Sequence, residues 1–350
     1  MQPKTYIILL NYNGWEDSIE CIESIFKCHN KNYHIILVDN NSPNNSVEKI
    51  ELWAKGKLKI ELDESNKLKS KTFPFIQKPL KYRLITEDES CNYFGLAEEY
   101  QLTIIKANKN KGFSYGNNIG IKHALSQKDS DFFWILNNDT IIDPNSLDEL
   151  LKYFNKNSNR NLGILGAKVK YYDEPNMIQC AGGAKYNKWL AYGKQIGNQT
   201  IDNGEYDNNN INPDLIIGAS MFVSNDFIKN VGLLSEDYFL YFEEQDWAER
   251  AKRKSFTLEY NYKAVIYHKE GRSIGGNQLN IRGISKLSDF YYARNKILFT
   301  KKFHNNFCVI MVYLSFFLIV ANRIRRRQID RIPMLIKIVL NPNKHYFEIK

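Results

Sequence analysis

Three carboxylates lie within four residues in the last third of the chain. Glu243, Glu244 and Asp246 follow an aromatic run at 238–242. An apolar environment raises the pKa of a carboxyl group, and a carboxylate with a raised pKa suits a general base. Acidic residues also stabilise the first turn of a helix through its dipole, which is a purely structural reason for such a cluster.

A second candidate for chemistry is Asp139, which follows the buried apolar run 131–136. Carboxylate oxygens are hard ligands that suit Mg²⁺ or Mn²⁺. Asp143 is the better helix-cap candidate, which leaves Asp139 available for another role. His268 ends a further apolar run, and a histidine at a sheet edge can bind a metal, although a lone histidine is more often structural.

Polar residues follow four apolar runs of the chain. Ligands of open parallel sheets bind beyond the carboxyl ends of the strands, so these clusters predict a polar site at one edge, whereas each cluster alone could simply form a turn. The third cluster contains glycines but neither G-x-G-x-x-G nor G-K-[ST], which argues against a dinucleotide dehydrogenase and a P-loop ATPase. The clusters are 11–14, 39–42, 108–116 and 137–139.

Short apolar runs alternate with stretches of helical periodicity, which predicts an α/β fold with a mostly parallel sheet and helices on both faces. Residues 57–101 interrupt this alternation and are expected to form an insertion packed at the edge, and 182–213 is polar and rich in Gly and Asn. The predicted strands are 5–10, 34–38, 102–107, 131–136, 216–223, 255–260 and 264–267. The predicted helices are 15–26, from 46, 115–126, from 144, 226–231 and 244–253.

The charge of the chain is concentrated at one end. Of the formal net charge of +9, residues 301–350 contribute ten basic and two acidic side chains, so the rest is nearly neutral. This distribution argues against nucleic-acid binding by the main body. The hydrophobic content of 43% is typical of a globular protein. Five scattered cysteines without a C-x-x-C pair indicate reduced thiols in the cytoplasm.

The basic end also contains the apolar run 307–321. As a helix it would be about 22 Å long, short of the roughly 30 Å of a hydrocarbon core, which argues against a full crossing. Five arginines between 323 and 331 and a second apolar stretch at 332–340 follow it. The segment 303–340 is therefore predicted to bind an anionic membrane surface. The alternative is a buried helix packed on the catalytic domain or on a second subunit.

Taken in order, seven stretches resemble family 2 inverting glycosyltransferases of the GT-A fold, and most closely the rhamnosyltransferase-like branch that builds bacterial surface polysaccharides. The resemblance covers roughly 1–300 apart from 57–101. It implies a GT-A catalytic domain at 1–270 and a helical C-terminal extension at 271–350. The stretches are 7–25, 35–42, 110–121, 132–140, 218–254, 264–276 and 291–299.

The resemblance implies a role for each matching residue. Glu244 takes the place of the catalytic base, with Asp246 as the second candidate, and Asp139 and His268 would bind the metal. Two departures stand out: Asn137 replaces the first acid of the Asp-x-Asp motif, and Glu244 stands where Asp is common. The implied donor-binding residues are Asn11, Asp39, Asn41, Asn110, Gly112, Asn118 and Asn138, and the implied acceptor-binding residues are Glu243 and Trp247.

The implied reaction moves a sugar from a nucleotide-sugar donor, with dTDP-rhamnose as the first choice, to a hydroxyl of a polysaccharide or lipid-linked glycan. It implies Mg²⁺ or Mn²⁺ as cofactor and a peripheral position on the cytoplasmic face of the bacterial inner membrane. The alternatives are a non-catalytic subunit that binds nucleotide sugars or polysaccharide, a nucleotidyltransferase, and a membrane scaffold.

Overall fold

The computed structural model describes residues 3–61, 64–92, 100–157, 159–208, 210–269, 285–344 and 346. The strands are β1 (Thr5–Asn11), β2 (Tyr33–Asp39), β3 (Tyr82–Thr86), β4 (Leu102–Lys106), β5 (Phe132–Asn137), β6 (Thr140–Ile142), β7 (Leu162–Tyr171), β8 (Met177–Ala181), β9 (Gly183–Asn187), β10 (Tyr192–Gln195), β11 (Thr200–Ile201), β12 (Leu215–Ile216), β13 (Ser220–Ser224) and β14 (Thr257–His268). The α-helices are α1 (Trp15–Phe26), α2 (Ser46–Ala54), α3 (Glu87–Ser90), α4 (Phe113–Ser126), α5 (Ser146–Lys156), α6 (Asn225–Val231), α7 (Glu243–Arg253), α8 (Lys286–Phe303), α9 (Asn306–Arg325) and α10 (Ile332–Leu340).

One half of the large sheet is parallel, with β5, β1, β2, β4 and β3 side by side. The register pairs Asn11 at the end of β1 with Asp39 at the end of β2. The other half is mixed, because β13 runs antiparallel to β5 and β7 while β14 is parallel to β7. The polar residues that follow β1, β2 and β5 therefore meet at one edge.

Helices cover both faces of the sheet, as expected for the α/β class. Along β1, Ile7 and Leu9 point into the core beneath α1, α2 and α5. Tyr6 and Ile8 alternate with them and pack into the core on the other face, beneath α4, α6 and α7. This period of two in fully buried strands explains their continuous apolar runs.

The segment 57–101, predicted to be an insertion, contributes the strand β3, which lies at the edge of the sheet beside β4. Its strand and the short helix α3 were not predicted. A carboxylate on α1 holds the insertion in place: Glu23, itself buried, accepts hydrogen bonds from Lys78 Nζ at 2.6 Å and Ile76 N at 2.9 Å. Residues 62–63 and 93–99 of this segment lie outside the described residues.

Three sequence predictions differ from the structure. The polar segment 182–213 contains β9 and β10, which form a small antiparallel sheet with β12. The two strands expected at 255–260 and 264–267 are one strand, β14, irregular between Asn261 and Val265. The strand expected at 216–223 is divided into β12 and β13, and the residues between them, 217–219, enter the candidate site.

The apolar run near the C-terminus forms α9, a helix of 20 residues, longer than the 15-residue run. It is the one helix among the described residues that is long and apolar enough to cross a membrane. At about 30 Å its length matches a hydrocarbon core. One side packs on α8 and α10 through Val312 and Phe316, whereas Phe317 and Leu318 are 75% and 68% exposed.

Two of the five arginines assigned to the membrane surface are internal. Arg323 and Arg331 are buried and pair with the buried Asp289 of α8, with Arg331 Nη1 3.1 Å from Asp289 Oδ2. These two arginines therefore fasten α9 and the following turn to α8 and do not face a membrane surface. Arg325 and Arg327 are exposed.

Candidate active site

The ends of β1 and β2 are joined by side-chain hydrogen bonds. Asn11 Nδ2 donates to Asp39 Oδ1 at 2.6 Å and to Ser42 Oγ at 3.2 Å. Asp39 Oδ2 accepts from the backbone N–H of Ser42 at 2.9 Å. Asn11 and Asp39 are both buried, and Asn41 beside them is exposed with a positive φ of 57°. Two of the predicted donor-binding residues therefore form one network, with Asn41 at its open side.

The turn after β5 joins this network from the opposite side. Asn138 Nδ2 donates to Ser18 Oγ at 2.8 Å and to the carbonyl of Gly14 at 3.2 Å, and it lies 3.5 Å from Asn11 Oδ1. Ser18 Oγ also donates to Asn11 Oδ1 at 3.0 Å. Asn138 therefore fixes the turn against the first turn of α1, which holds the next residue, Asp139, at the sheet edge.

The loop before α4 lies against the segment that leads into α7. Asn110 Oδ1 accepts from Asn40 Nδ2 and from Gly112 N, both at 3.0 Å. Gly112 has a φ of +97°, and a Cβ there would lie 2.0 Å from the carbonyl oxygen of Phe239. No side chain fits this contact, so glycine is required by both conformation and space.

Asn118, also predicted to bind the donor, is engaged inside the protein. Its Nδ2 donates to Leu234 O at 2.9 Å and Glu236 Oε1 at 2.8 Å, and its Oδ1 accepts from Leu234 N at 3.1 Å. Asn118 therefore links α4 to the 234–236 loop through its side-chain amide.

Asp139 and His268, the two residues predicted to bind a metal, lie next to each other at the end of β14. His268 Nε2 lies 3.1 Å from Asp139 Oδ1, and both residues are buried. His268 Nδ1 lies 3.0 Å from Gln179 Oε1, which can only accept, so Nδ1 carries a hydrogen and Nε2 faces the carboxylate. The pKa of Asp139 is lowered on balance. Burial raises it, but the charge of His268 and the hydrogen bond to it lower it by more.

This pair fits a divalent cation in its chemistry. His268 Nε2 and Asp139 Oδ1 lie 3.1 Å apart, and Asn137 Nδ2 lies 3.4 Å from the same ring nitrogen. A deprotonated Nε2 and the carboxylate could bind one cation together. Carboxylate and imidazole are both ligands of Mn²⁺-type metals. No group of three or more His, Cys, Asp or Glu side chains with metal-binding geometry occurs in the described part of the chain, so Asp139 and His268 form a pair without a third such side chain there.

Glu244 lies on the opposite side of the same edge, in the first turn of α7. Its Oε1 accepts from the backbone N–H of Gly218 at 3.1 Å, and the side chain is only partly buried. Ala219, the next residue, accepts at its carbonyl from Asn137 N at 3.2 Å. Two consecutive residues therefore connect Glu244 with the turn that carries Asp139.

Glu243 and Glu244 both have carboxyl groups with pKa values raised above 4.5 by burial, and the Glu244 charge further raises the pKa of Glu243. Glu243 is 3% exposed, and its Oε2 has no hydrogen-bond partner. The pKa of Glu243 is therefore raised further than that of the more accessible Glu244, so Glu244 is the member of the pair that ionises more readily.

Asp246 and Trp247 face the interior instead. Asp246 is fully buried and binds Arg250 Nε at 2.6 Å and Lys302 Nζ at 2.7 Å. Trp247 is also fully buried, and its Nε1 donates to Gly232 O at 2.9 Å. Asp246 is therefore held in two ion pairs and Trp247 lies in the core, so neither side chain faces the sheet edge where Glu244 lies.

The segment before α7 has an unusual backbone. Tyr241 and Phe242 have positive φ values of 68° and 76°, which residues other than glycine rarely adopt. Asn295 of α8 is fully buried, and its Nδ2 donates to Leu240 O at 2.8 Å and to Tyr241 O at 3.0 Å. Asn295 therefore holds the strained turn that sets the position of Glu244.

Several site residues were not predicted individually. Asn40 and Ser42 belong to a polar cluster that the sequence singled out, and Gly218 and Asn295 lie in stretches of the family resemblance. Gln179 had no signal, because β8 was not predicted.

Helices cover both faces of the sheet, and polar residues lie at its strand ends. A buried Asp–His pair and a carboxylate at the start of a helix lie at the same edge. This arrangement is that of a GT-A fold. Models of the families described as "Glycosyltransferase like family 2" and "Glycosyl transferase family 2" match residues 84–282 and 6–71. The chain belongs to glycosyltransferase family 2.

A similar protein is also described as a glycosyl-group-transferring enzyme. The low-salt glycan biosynthesis hexosyltransferase Agl10 of Haloferax volcanii is 25% identical over 157 residues, 44% of this chain and 47% of that protein. The chain thus covers less than half of that relative's length.

Two solved structures share the fold. A mannosyltransferase from Pyrobaculum calidifontis in complex with GDP-Man and Mn²⁺ has a TM-score of 0.50 and 11% identity, with 96% of this chain and 74% of that chain covered. GalNAc-T7 with UDP, GalNAc and Mn²⁺ has a TM-score of 0.51 and 13% identity, with 85% and 51% covered.

Proposed function

We propose that this protein transfers a sugar from a nucleoside-diphosphate sugar to an acceptor hydroxyl with inversion at the anomeric carbon, and that Glu244 is the base. The observation that carries the proposal is the two-residue connection at 218–219. It joins a partly exposed carboxylate of raised pKa to the turn that presents Asp139. A base and a cation-binding pair at one sheet edge meet the two requirements of this reaction.

The step is a single displacement. The acceptor oxygen forms a bond to the anomeric carbon while its proton passes to Glu244. The bond between that carbon and the phosphate oxygen breaks, and the electron pair leaves with the nucleoside diphosphate. Gly218 N–H holds Oε1 of Glu244 at 3.1 Å, so its other oxygen remains for the proton.

Asp139 and His268 would hold the divalent cation, Mg²⁺ or Mn²⁺, which when bound neutralises charge on the donor diphosphate. Oxygens of the donor diphosphate would supply further ligands. The Mn²⁺ in both similar structures supports a divalent cation as cofactor. Gln179 holds the histidine ring through Nδ1, which would leave Nε2 available to a cation.

On the donor side, Asn11, Asp39 and Asn41 are proposed to bind the nucleotide, because they line the ends of β1 and β2. Asn110, Gly112 and Asn138 would lie along the rest of the donor, and Asn118 holds α4 against the 234–236 loop. The similar structures contain GDP-mannose or UDP. The sequence resemblance makes dTDP-rhamnose the first donor to test.

The acceptor is proposed to be a polysaccharide or lipid-linked glycan at the cytoplasmic face of a bacterial inner membrane. Residues 1–270 would form the catalytic domain and 271–350 the extension that attaches it to the membrane. The exposed apolar side of α9 supports this attachment, as do the exposed Ile336 and Leu340 of α10. Glu243, at the start of α7, would face acceptor hydroxyls only after a local rearrangement, since it is buried.

Thermal unfolding with a panel of nucleotide sugars, with and without Mn²⁺, tests the proposal. A donor that binds the folded state raises the melting temperature, and Mn²⁺ should strengthen the effect. The stabilising donor is then tested for transfer or slow hydrolysis. Stabilisation without any turnover would favour the non-catalytic subunit, and no stabilisation by any nucleotide sugar would contradict the proposal.

A further inference from the structure

A groove of about 640 Å³ lies between the β9–β10 hairpin and the C-terminal half of α7. Lys185, Lys188, Lys194 and Lys252 line it. Asp214 and Glu249 also line it and pair with Lys185 at 3.8 Å and Lys252 at 3.4 Å. Lys188 and Lys194 have no carboxylate partner among the described residues, so the groove keeps two uncompensated positive charges.

Two exposed aromatic side chains stand in the same groove. Trp189 is 39% exposed and Tyr192 is 52% exposed. Large aromatic side chains exposed together are unusual on a surface that faces only water, and their rings offer apolar contact area.

The groove adjoins the apolar side of α9. The ring of Trp189 contacts that of Phe307 edge-on, with centroids 5.4 Å apart. Phe307 lies in the first turn of α9, and 59% of it is exposed. The ammonium group of Lys188 lies 5.0 Å from the centre of the same Trp189 ring. A ligand in the groove would therefore have lysine ammonium groups and an apolar helix close together.

The groove is also connected to the candidate active site. The hairpin strand β9 pairs with β12, with Ala184 opposite Leu215. Three residues beyond Leu215, Gly218 binds the carboxylate of Glu244. The helix α7 carries Glu244 at its start and Lys252 near its end.

We infer that this groove binds the phosphate group of an isoprenoid-phosphate lipid, the carrier on which the acceptor sugar is presented. Lysine ammonium groups bind phosphate oxygens, and the aromatic rings and α9 contact the adjoining hydrocarbon chain. That the lipid carries the acceptor rests on the proposed function, whereas lipid binding itself does not.

The test is co-flotation of the full chain with phosphatidylcholine vesicles that contain geranylgeranyl diphosphate, and with vesicles of equal charge that contain phosphatidylserine. The wild type should prefer the diphosphate lipid. The double variant Lys188→Glu with Lys194→Glu should bind it at least about tenfold more weakly, because each lysine contributes about 1 kcal/mol near an anionic surface. The matched control is Lys122→Glu with Lys229→Glu, which changes the same charge at exposed positions outside the groove.

Three results would overturn the inference: equal binding of both vesicle types, unchanged binding by the groove variant, or an equal loss in the control. Inorganic diphosphate in solution separates the two sources of phosphate, and release of the protein at equimolar inorganic diphosphate would show that the lipid chain is not recognised. Nucleotide-sugar stabilisation of the groove variant is measured in parallel, because it reports on the proposed function and should stay unchanged.

Discussion

Asn295 is expected to control the position of the proposed base, Glu244, although the two residues are far apart in the sequence. Its side-chain amide donates to two consecutive carbonyls in the turn that precedes α7. The turn contains Tyr241 and Phe242 at positive φ. Such residues each cost about 1–3 kcal/mol and persist only where surrounding contacts hold them.

Asn295→Ala removes both hydrogen bonds and leaves the two carbonyls without this partner. The two lost bonds cost about 0.5–1.5 kcal/mol each, and an unsatisfied buried group adds about 1–3 kcal/mol, so a loss of about 2–6 kcal/mol of unfolding free energy is expected. This loss is comparable to the strain in the turn, which should therefore relax. Since proton abstraction contributes about 10²–10⁴-fold, kcat should fall by about tenfold to a hundredfold, with the donor KM within about threefold.

The assay is steady-state transfer with the donor found by thermal screening, normalised to folded protein. Thr300→Ala is the matched control, because Thr300 is also fully buried on α8 and its hydroxyl donates within the helix to Lys296 O at 2.7 Å. The control should lose stability but keep kcat. If Asn295→Ala is destabilised yet turns over at the wild-type kcat, the turn does not position Glu244 and the reasoning fails.

Three further perturbations have defined outcomes. Burial raises the pKa of Glu244 above 4.5, so kcat/KM should fall as the pH drops through a midpoint above 4.5; a midpoint at or below that value would argue against Glu244. Gly112→Ala places a Cβ 2.0 Å from Phe239 O, so donor-induced thermal stabilisation should disappear, and its retention would show that this loop does not touch the donor. Asp289→Asn leaves two buried arginines without their anion and should cost about 3–5 kcal/mol of unfolding free energy. Donor stabilisation should survive in that variant, and an unchanged melting temperature would contradict the pairing.

Much of the parallel half of the sheet could be predicted from the sequence. Fully buried strands such as β1 and β5 read as unbroken apolar runs, and α1 was predicted with the bounds that the structure has. The edge strand β3 and the hairpin β9–β10, which are only partly buried, were missed, and so were the largely buried strands β7 and β8. The pattern YRLIT in β3 has one buried residue, so its apolar signal is weak.

Some residues of the candidate site could also be predicted from the sequence, and others could not. Residues at strand ends, such as Asp39, Asp139 and His268, could be proposed because a buried run marks where each strand stops. The acidic cluster at the start of α7 could not be resolved, because only the helix register separates Glu244 at the edge from Asp246 in the interior. Asn295 depends on a contact between segments more than 50 residues apart, which no local pattern encodes.

The most direct test of the central claim compares Glu244→Gln with the wild type in donor binding and in transfer. The amide keeps the size of the side chain and an oxygen that can accept from Gly218 N, but it cannot take up the acceptor proton. Donor-induced stabilisation in Mn²⁺ should match the wild type while kcat falls by about 10²–10⁴-fold. Wild-type turnover by Glu244→Gln, together with an inactive but folded Asp246→Asn, would contradict the assignment of the base.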